Sequence, residues 1–208
     1  MPSFRFAALL LVLSTAAVEA DPDTAARREF QSAYAAVATT APDAAVADSD
    51  ALRAYPLYPY LQAARLQRRL TDPAAAADIA AFLAANGDQP VARSLRRSWL
   101  MELALRKQWD DYLIAYREDL DDTAAARCNA LAARIALGRT AGLEESATAM
   151  YLNPSSLPPA CDPVIDWLRG QSLLTPELVE KRARLALGAG EAALARFLAR
   201  SLPDAQAA

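Results

Sequence analysis

Tyr55-Pro56-Leu57-Tyr58-Pro59-Tyr60-Leu61 runs directly into the arginine-rich segment Gln62 to Leu70. Each proline fixes its own φ and withholds a backbone donor, so Pro56 and Pro59 suit a bend and the first turn of a helix, not its interior. The stretch therefore reads as a bend feeding a helix, with Tyr55, Tyr58 and Tyr60 at the junction. As a packing device the tyrosines form an amphipathic plug, rings inward and hydroxyls toward water.

Outward from this junction, the helix boundaries are marked by paired signals. Asp21-Pro22, Asp72-Pro73, Asp162-Pro163 and Thr175-Pro176 each place a capping oxygen before a proline at the first helical position. Asn86-Gly87, Gly138, Gly170 and Gly188 read as helix ends, where glycine takes the left-handed conformation. Between these marks apolar residues recur at helical spacing. Examples are Val91, Leu95, Trp99 and Leu103; Leu143, Ala147, Met150 and Tyr151; Leu178, Arg182 and Leu185; and Leu194, Phe197, Leu198 and Leu202. No stretch sustains a period of two. The expectation is an all-α chain of about ten short helices, stacked as antiparallel pairs into a solenoid. Two segments break the pattern: Ala41 to Asp50, a loop leading to a short turn at Leu52, and the proline-rich Asn153 to Pro163.

Composition narrows the chemistry. The chain has 208 residues, only 6 Gly, a net charge of -3 and no histidine. Abundant alanine with few β-branched residues favours helix. The absence of histidine removes histidine-based triads, imidazole metal ligands and a histidine general base. The negative balance offers no basic patch for nucleic acid.

Residues 1–20 read as a secretory signal: Arg5 in a positive n-region, an apolar run from Phe6 to Leu13, and the small-x-small site Val18-Glu19-Ala20. The run is too short to span a bilayer, so a transmembrane anchor is not expected, and residues 21–208 form the exported, periplasmic part. There, Cys128 and Cys161, 33 residues apart, are expected to pair. In the loop-closure model the bridge removes chain entropy worth about 4 kcal/mol. The alternative is a pair of buried thiols. A catalytic cysteine would need a base nearby, and no histidine supplies one.

The run Tyr55 to Leu61 resembles the segment near the start of the superhelical N-terminal domain of soluble lytic murein transglycosylases. Further matches follow in order: Leu95-Arg96-Arg97-Ser98-Trp99-Leu100; Trp109 with Tyr112 and Tyr116; Arg127-Cys128; and Leu157-Pro158-Pro159-Ala160-Cys161-Asp162-Pro163. The resemblance implies a right-handed superhelix of antiparallel helix pairs, in which Tyr55, Pro56, Tyr58, Pro59, Tyr60, Leu95, Arg96, Trp99 and Trp109 are motif positions with structural roles. It also implies, for the whole family, non-hydrolytic cleavage of the bond between N-acetylmuramic acid and N-acetylglucosamine, with a 1,6-anhydromuramic product and no metal or nucleotide cofactor.

In that family the catalytic glutamate lies in a C-terminal lysozyme-like domain, in a Glu-Ser motif followed by a Gly-Leu-Met-Gln type segment. Glu145-Ser146 falls within the helical part of the match and no such segment follows, so it is read as coincidence and no catalytic residue is carried over. The expectation is a partial superhelical platform without the lysozyme-like domain, non-catalytic alone, whose partners are peptidoglycan glycan strands, periplasmic proteins or the missing catalytic domain. An uncapped solenoid of this kind would expose an apolar face and self-associate. The alternative is a stand-alone periplasmic adaptor of tetratricopeptide type that binds protein segments in a concave groove.

Among charged residues, Arg65, Arg68 and Arg69 are binding candidates for acidic groups such as peptide-stem carboxylates, and Arg93, Arg96 and Arg97 form a second cluster. The competing reading is a solvated face paired with local acids. Glu144 and Glu145 fit the start of a helix dipole.

Overall fold

The structure is a computed structural model, and it describes residues 22–42, 47–87 and 89–202. The expected signal segment and Asp21 lie outside the described residues. The described residues are helical with turns between, as the spacing predicts, and show no strand. They divide into two compact units, one ending at Leu61 and one beginning at Gln62.

In the first unit, α1 (Pro22–Ala36) packs on the single turn α2 (Asp50–Arg53). Ser49 joins them: its Oγ accepts from Leu52 N at 3.0 Å as the N-cap of α2 and donates to Glu29 Oε2 at 2.6 Å. Leu52 is fully buried, in keeping with the short turn expected there. Tyr55 to Tyr58 then forms a turn closed by Tyr58 N donating to Tyr55 O at 2.8 Å, with Pro56 inside it. Helix α3 (Tyr58–Gln67) follows, with Pro59 in its first turn.

In the second unit, the arginine-rich segment is shorter as a helix than expected. Helix α3 ends at Gln67, and Arg68 and Arg69 lie in the closing turns, where their amides bond to Arg65 O and Leu66 O. Asp72 caps a 3₁₀ turn, Pro73–Ala75, that leads into α4 (Ala76–Asn86). There follow α5 (Pro90–Leu105), α6 (Trp109–Ala115), α7 (Ala124–Ala136), α8 (Leu143–Tyr151), a second 3₁₀ turn at Pro159–Cys161, α9 (Asp162–Gly170), α10 (Pro176–Gly188) and α11 (Ala192–Ala199). Thr123 and Thr175 cap α7 and α10 through their hydroxyls.

Several helices end in one way. Around a left-handed residue the next amide reaches back five positions: Gln108 N to Leu103 O, Arg139 N to Arg134 O, Leu173 N to Leu168 O and Glu191 N to Ala186 O, at 2.8–2.9 Å. The left-handed residues are Lys107, Gly138, Ser172 and Gly190. Two expected ends therefore shift: Gly170 and Gly188 are the last helical residues of α9 and α10, and Ser172 and Gly190 make the turns. Asp162 likewise lies inside the first turn of α9, because the 3₁₀ turn before it brings the chain in already wound.

The core has two clusters. One gathers Ile79, Phe82 and Leu83 of α4, the buried face of α5 (Val91, Leu95, Trp99, Leu100, Leu103), Tyr112, and Ala130 and Ala133 of α7. The other gathers Ala132 of α7, Ala147 and Tyr151 of α8, and Val164 and Leu168 of α9. Helix α7 contributes to both. Cys128 on α7 is bonded to Cys161 at the entry to α9, with Cα atoms 4.8 Å apart, so the expected pairing is present. Some expected core positions are not core. Phe197 and Leu185 are exposed, whereas Arg182 on the same α10 face is buried.

Two outcomes follow for stability. Ala133→Leu, at a fully buried position between neighbours, should cost about 1–3 kcal/mol by overpacking, while Ala136→Leu on the exposed side should change stability by less than about 0.5 kcal/mol. Reduction of the disulfide should lower the unfolding free energy by about 4 kcal/mol. Urea melts of the variants, and of the native chain with and without reductant, read both.

Candidate functional site

The aromatic junction is partly packed and partly open. Phe30 lies against Tyr34 and Tyr55, ring centroids 5.6 and 5.3 Å apart, so Tyr55 is half-buried. Tyr58 donates its hydroxyl to Asp48 Oδ2 at 2.8 Å. Tyr55 and Tyr58 thus fit the expected amphipathic plug, whereas the ring of Tyr60 is exposed and departs from it. Tyr34, Leu57 and Tyr60 remain 40–47% exposed, so the first unit presents an aromatic and aliphatic surface to solvent.

The other motif positions have different fates. Leu95 and Trp99 are core residues of α5. Trp109 is partly buried and meets Tyr112 edge-on at 6.1 Å, and Tyr112 stacks on Tyr116. Tyr112 is fully buried and donates its hydroxyl to Ala126 O at 2.9 Å; burial pushes its phenol well above the ordinary range.

Among the arginine candidates, those of the first cluster have partners within the chain. Arg69 is held by Asp72 and Asp78, at 3.0 Å to each, and Arg65 and Arg68 have partners of their own. Arg96 behaves differently. It is 3% exposed, its Nη2 makes one long bond to Gly87 O at 3.5 Å, and its buried Nη1 has no acceptor. Arg96 lines a cleft of about 300 Å³ formed by α4, α5 and α6, with Leu83, Trp99, Asp111, Ile114 and Arg117 also on its walls.

Three carboxyls, those of Asp72, Asp119 and Glu177, are shifted downward. Arg117, donating to both oxygens of Asp119 at 2.9–3.0 Å, holds that carboxyl below the ordinary aspartate value. Asp72 is held low by the Ala74 amide and then by Arg69. Glu177 is held low by backbone and Thr175 bonds at the start of α10. A glycosidic acid needs the opposite, a pKa raised by burial. Glu144 and Glu145 are exposed in the first turn of α8, where the helix dipole accounts for them. Among the described residues no group of His, Cys, Asp or Glu is arranged to hold a metal ion.

A residue outside the motif positions binds the proline-rich loop. Arg182, buried on α10, stacks on Tyr151 at 4.6 Å and donates to Asn153 O and Ser155 O at 3.3 and 3.4 Å. Its signal in the sequence was an arginine at an apolar position of a helical face, four residues after Leu178.

No protein-family model matches the chain. The soluble lytic murein transglycosylase of Salmonella typhimurium is 34% identical over 152 residues, 73% of this chain and 23% of that protein. The Escherichia coli K12 protein of the same name is 33% identical over 155 residues, with the same shares covered. The chain thus spans about a quarter of the length of these curated relatives. Among solved structures, an inactive mutant of the lytic transglycosylase Slt from Pseudomonas aeruginosa aligns over 86% of this chain and 29% of its own, with a TM-score of 0.71 and 31% identity. The 70-kDa soluble lytic transglycosylase in complex with bulgecin A aligns over the same shares, with a TM-score of 0.68 and 28% identity.

Removing the loop anchor should be costly. Arg182→Met keeps an apolar stem against Tyr151 but removes two charge-assisted bonds, and should cost about 1.5–3 kcal/mol in a denaturant melt. The depressed carboxyls set a pH dependence. Their folded pKa values lie below the unfolded ones, so their stabilisation is fully present above the ordinary aspartate range and is lost as pH falls through the depressed values. The melting temperature should therefore fall on acidification below about pH 4, and Asp72→Asn should flatten that fall.

Proposed function

We propose that this homologue of the soluble lytic murein transglycosylases acts as a helical platform that engages peptidoglycan glycan strands, and that its 208 residues position the glycan without cleaving it. The similarity to that family, sustained over most of the chain, carries the proposal. The resemblance read in the ordered motifs from Tyr55-Pro56-Leu57-Tyr58-Pro59-Tyr60-Leu61 to the proline-rich loop at Cys161 supports the same reading. The exposed rings of Tyr34 and Tyr60 supply the kind of surface on which a sugar face can lie. Asp72, Asp119 and Glu177 shift toward the ionised form, opposite to what an acid of the glycosidic type needs.

Export to the periplasm fits this role. The reading of residues 1–20 as a secretory signal supports it, as does a disulfide, which persists in oxidising compartments. No helix among the described residues is long and apolar enough to cross a membrane.

Incubation of the purified chain with peptidoglycan sacculi tests the proposal. The chain should sediment with sacculi in a saturable way, and the digest should contain no 1,6-anhydromuramic product. Clear turnover would overturn the non-catalytic reading. Capture of a specific periplasmic protein with no retention on sacculi would replace the platform with the adaptor.

A further inference from the structure

We propose that the cleft between α4, α5 and α6 binds the α-carboxylate of an aliphatic amino acid or of a peptide C-terminus, with Arg96 as the carboxylate's partner. A guanidinium carries five donors and stays charged at any physiological pH, so burying it is costly unless acceptors surround it. Arg96 is 3% exposed, yet its Nη1 has no acceptor and its Nη2 has only the 3.5 Å bond to Gly87 O. A carboxylate in the cleft that Arg96 lines would supply the acceptors that this guanidinium lacks.

The protein's own acids do not fill that need. Asp119 feels the charge of Arg96, but both its oxygens accept from Arg117. The second cation on the wall is thereby neutralised, and Arg96 is left buried with one long carbonyl bond and no acceptor at Nη1. A planar carboxylate matches the guanidinium fork better than a single-oxygen acceptor does.

The remaining walls select the rest of the ligand. Leu83, Trp99 and Ile114 are apolar, and Ile114 is 80% exposed, an aliphatic side chain left open at the cleft. Such a surface favours an aliphatic side chain on the ligand. Asp111, also on the wall, repels a second carboxylate and accepts from an N–H or ammonium beside the first. A volume of about 300 Å³ lies at the small end of ligand sites and suits one residue rather than a long peptide. The free amino acid and the peptide terminus share this chemistry, and the ligand's amine separates them.

Titration of the ¹⁵N-labelled full chain with leucine, N-acetyl-leucine and leucinamide tests the site. At least one of the two carboxylates should shift the Trp99 indole and Arg96 Nε signals saturably, with a Kd of about 1 mM or below. Leucinamide, which lacks the carboxylate, should not. Tighter binding of leucine assigns a free amino acid; tighter binding of N-acetyl-leucine assigns a peptide terminus. Arg96→Gln should abolish the effect. Because Arg96 is buried, a second variant guards against simple misfolding. Ala84→Leu narrows the cleft from an exposed position of α4, where leucine is a good helix former, and should weaken binding about tenfold. Equal binding of leucinamide, no saturable shift with either carboxylate, or unchanged affinity in Ala84→Leu would each overturn the site. Retention on sacculi does not enter this test, so failure of the platform role and failure of the cleft are distinguishable.

Discussion

Helix α7 must be narrow. It is packed against α5, α6, α8, α9 and the 3₁₀ turn that holds Cys161, more partners than one helix can serve with large side chains. Interiors reach crystal-like density, so a helix enclosed on several sides must give up side-chain volume for its neighbours to close on it. The sequence of α7 answers with Ala130, Ala132 and Ala133, all buried, and with Cys128, whose small side chain becomes a covalent bond to the entry of α9. Both core clusters draw on this helix, one through Ala130 and Ala133 and the other through Ala132. Alanine also has the highest helix propensity, so narrowness and helicity come from one residue choice.

From this hub, bulk is supplied by the neighbours. Trp99, Leu100 and Leu103 of α5, Tyr112 of α6 and Leu168 of α9 fill the space that the alanines leave. Two buried arginines then mark how the chain treats charge at the edges of this packing. Arg182 is held on two sides: an aromatic ring beneath it and two carbonyls of the proline-rich loop make it a structural clamp. Arg96 is as deeply buried but has almost no partner within the chain. The same residue type thus serves as a clamp at one place and as an incomplete recognition element at the other, and the difference lies in the acceptors around it.

Most of the helical organisation was legible because it rests on local chemistry. The proline after a capping residue marked the starts at Asp72 and Thr175, and Gly87 and Gly138 marked two ends, since these signals depend only on adjacent backbone atoms. The pairing of Cys128 with Cys161 was legible from an even count in a chain whose first 20 residues read as a secretory signal. What failed depended on neighbours. Periodicity shows which face of α11 is apolar but not whether anything covers it, and Phe197 is exposed for that reason. Nor can it tell a buried cation from a solvated one, so Arg182 read as part of an apolar face and Arg69 as a binding candidate until Asp72 and Asp78 were seen beside it. The turn at Ser172 was missed because a serine in the left-handed region carries no glycine-like mark in sequence.

If α7 is the element on which the second unit closes, its amides should be the last to open. Native-state hydrogen exchange measures this directly, because amides in the most stable unit exchange only through global unfolding, whereas peripheral elements open earlier. The account predicts that the amides of α7, with those of α5, exchange at the free energy of global unfolding, above those of α10 and α11. Exchange of α7 as fast as that of α11 would contradict it.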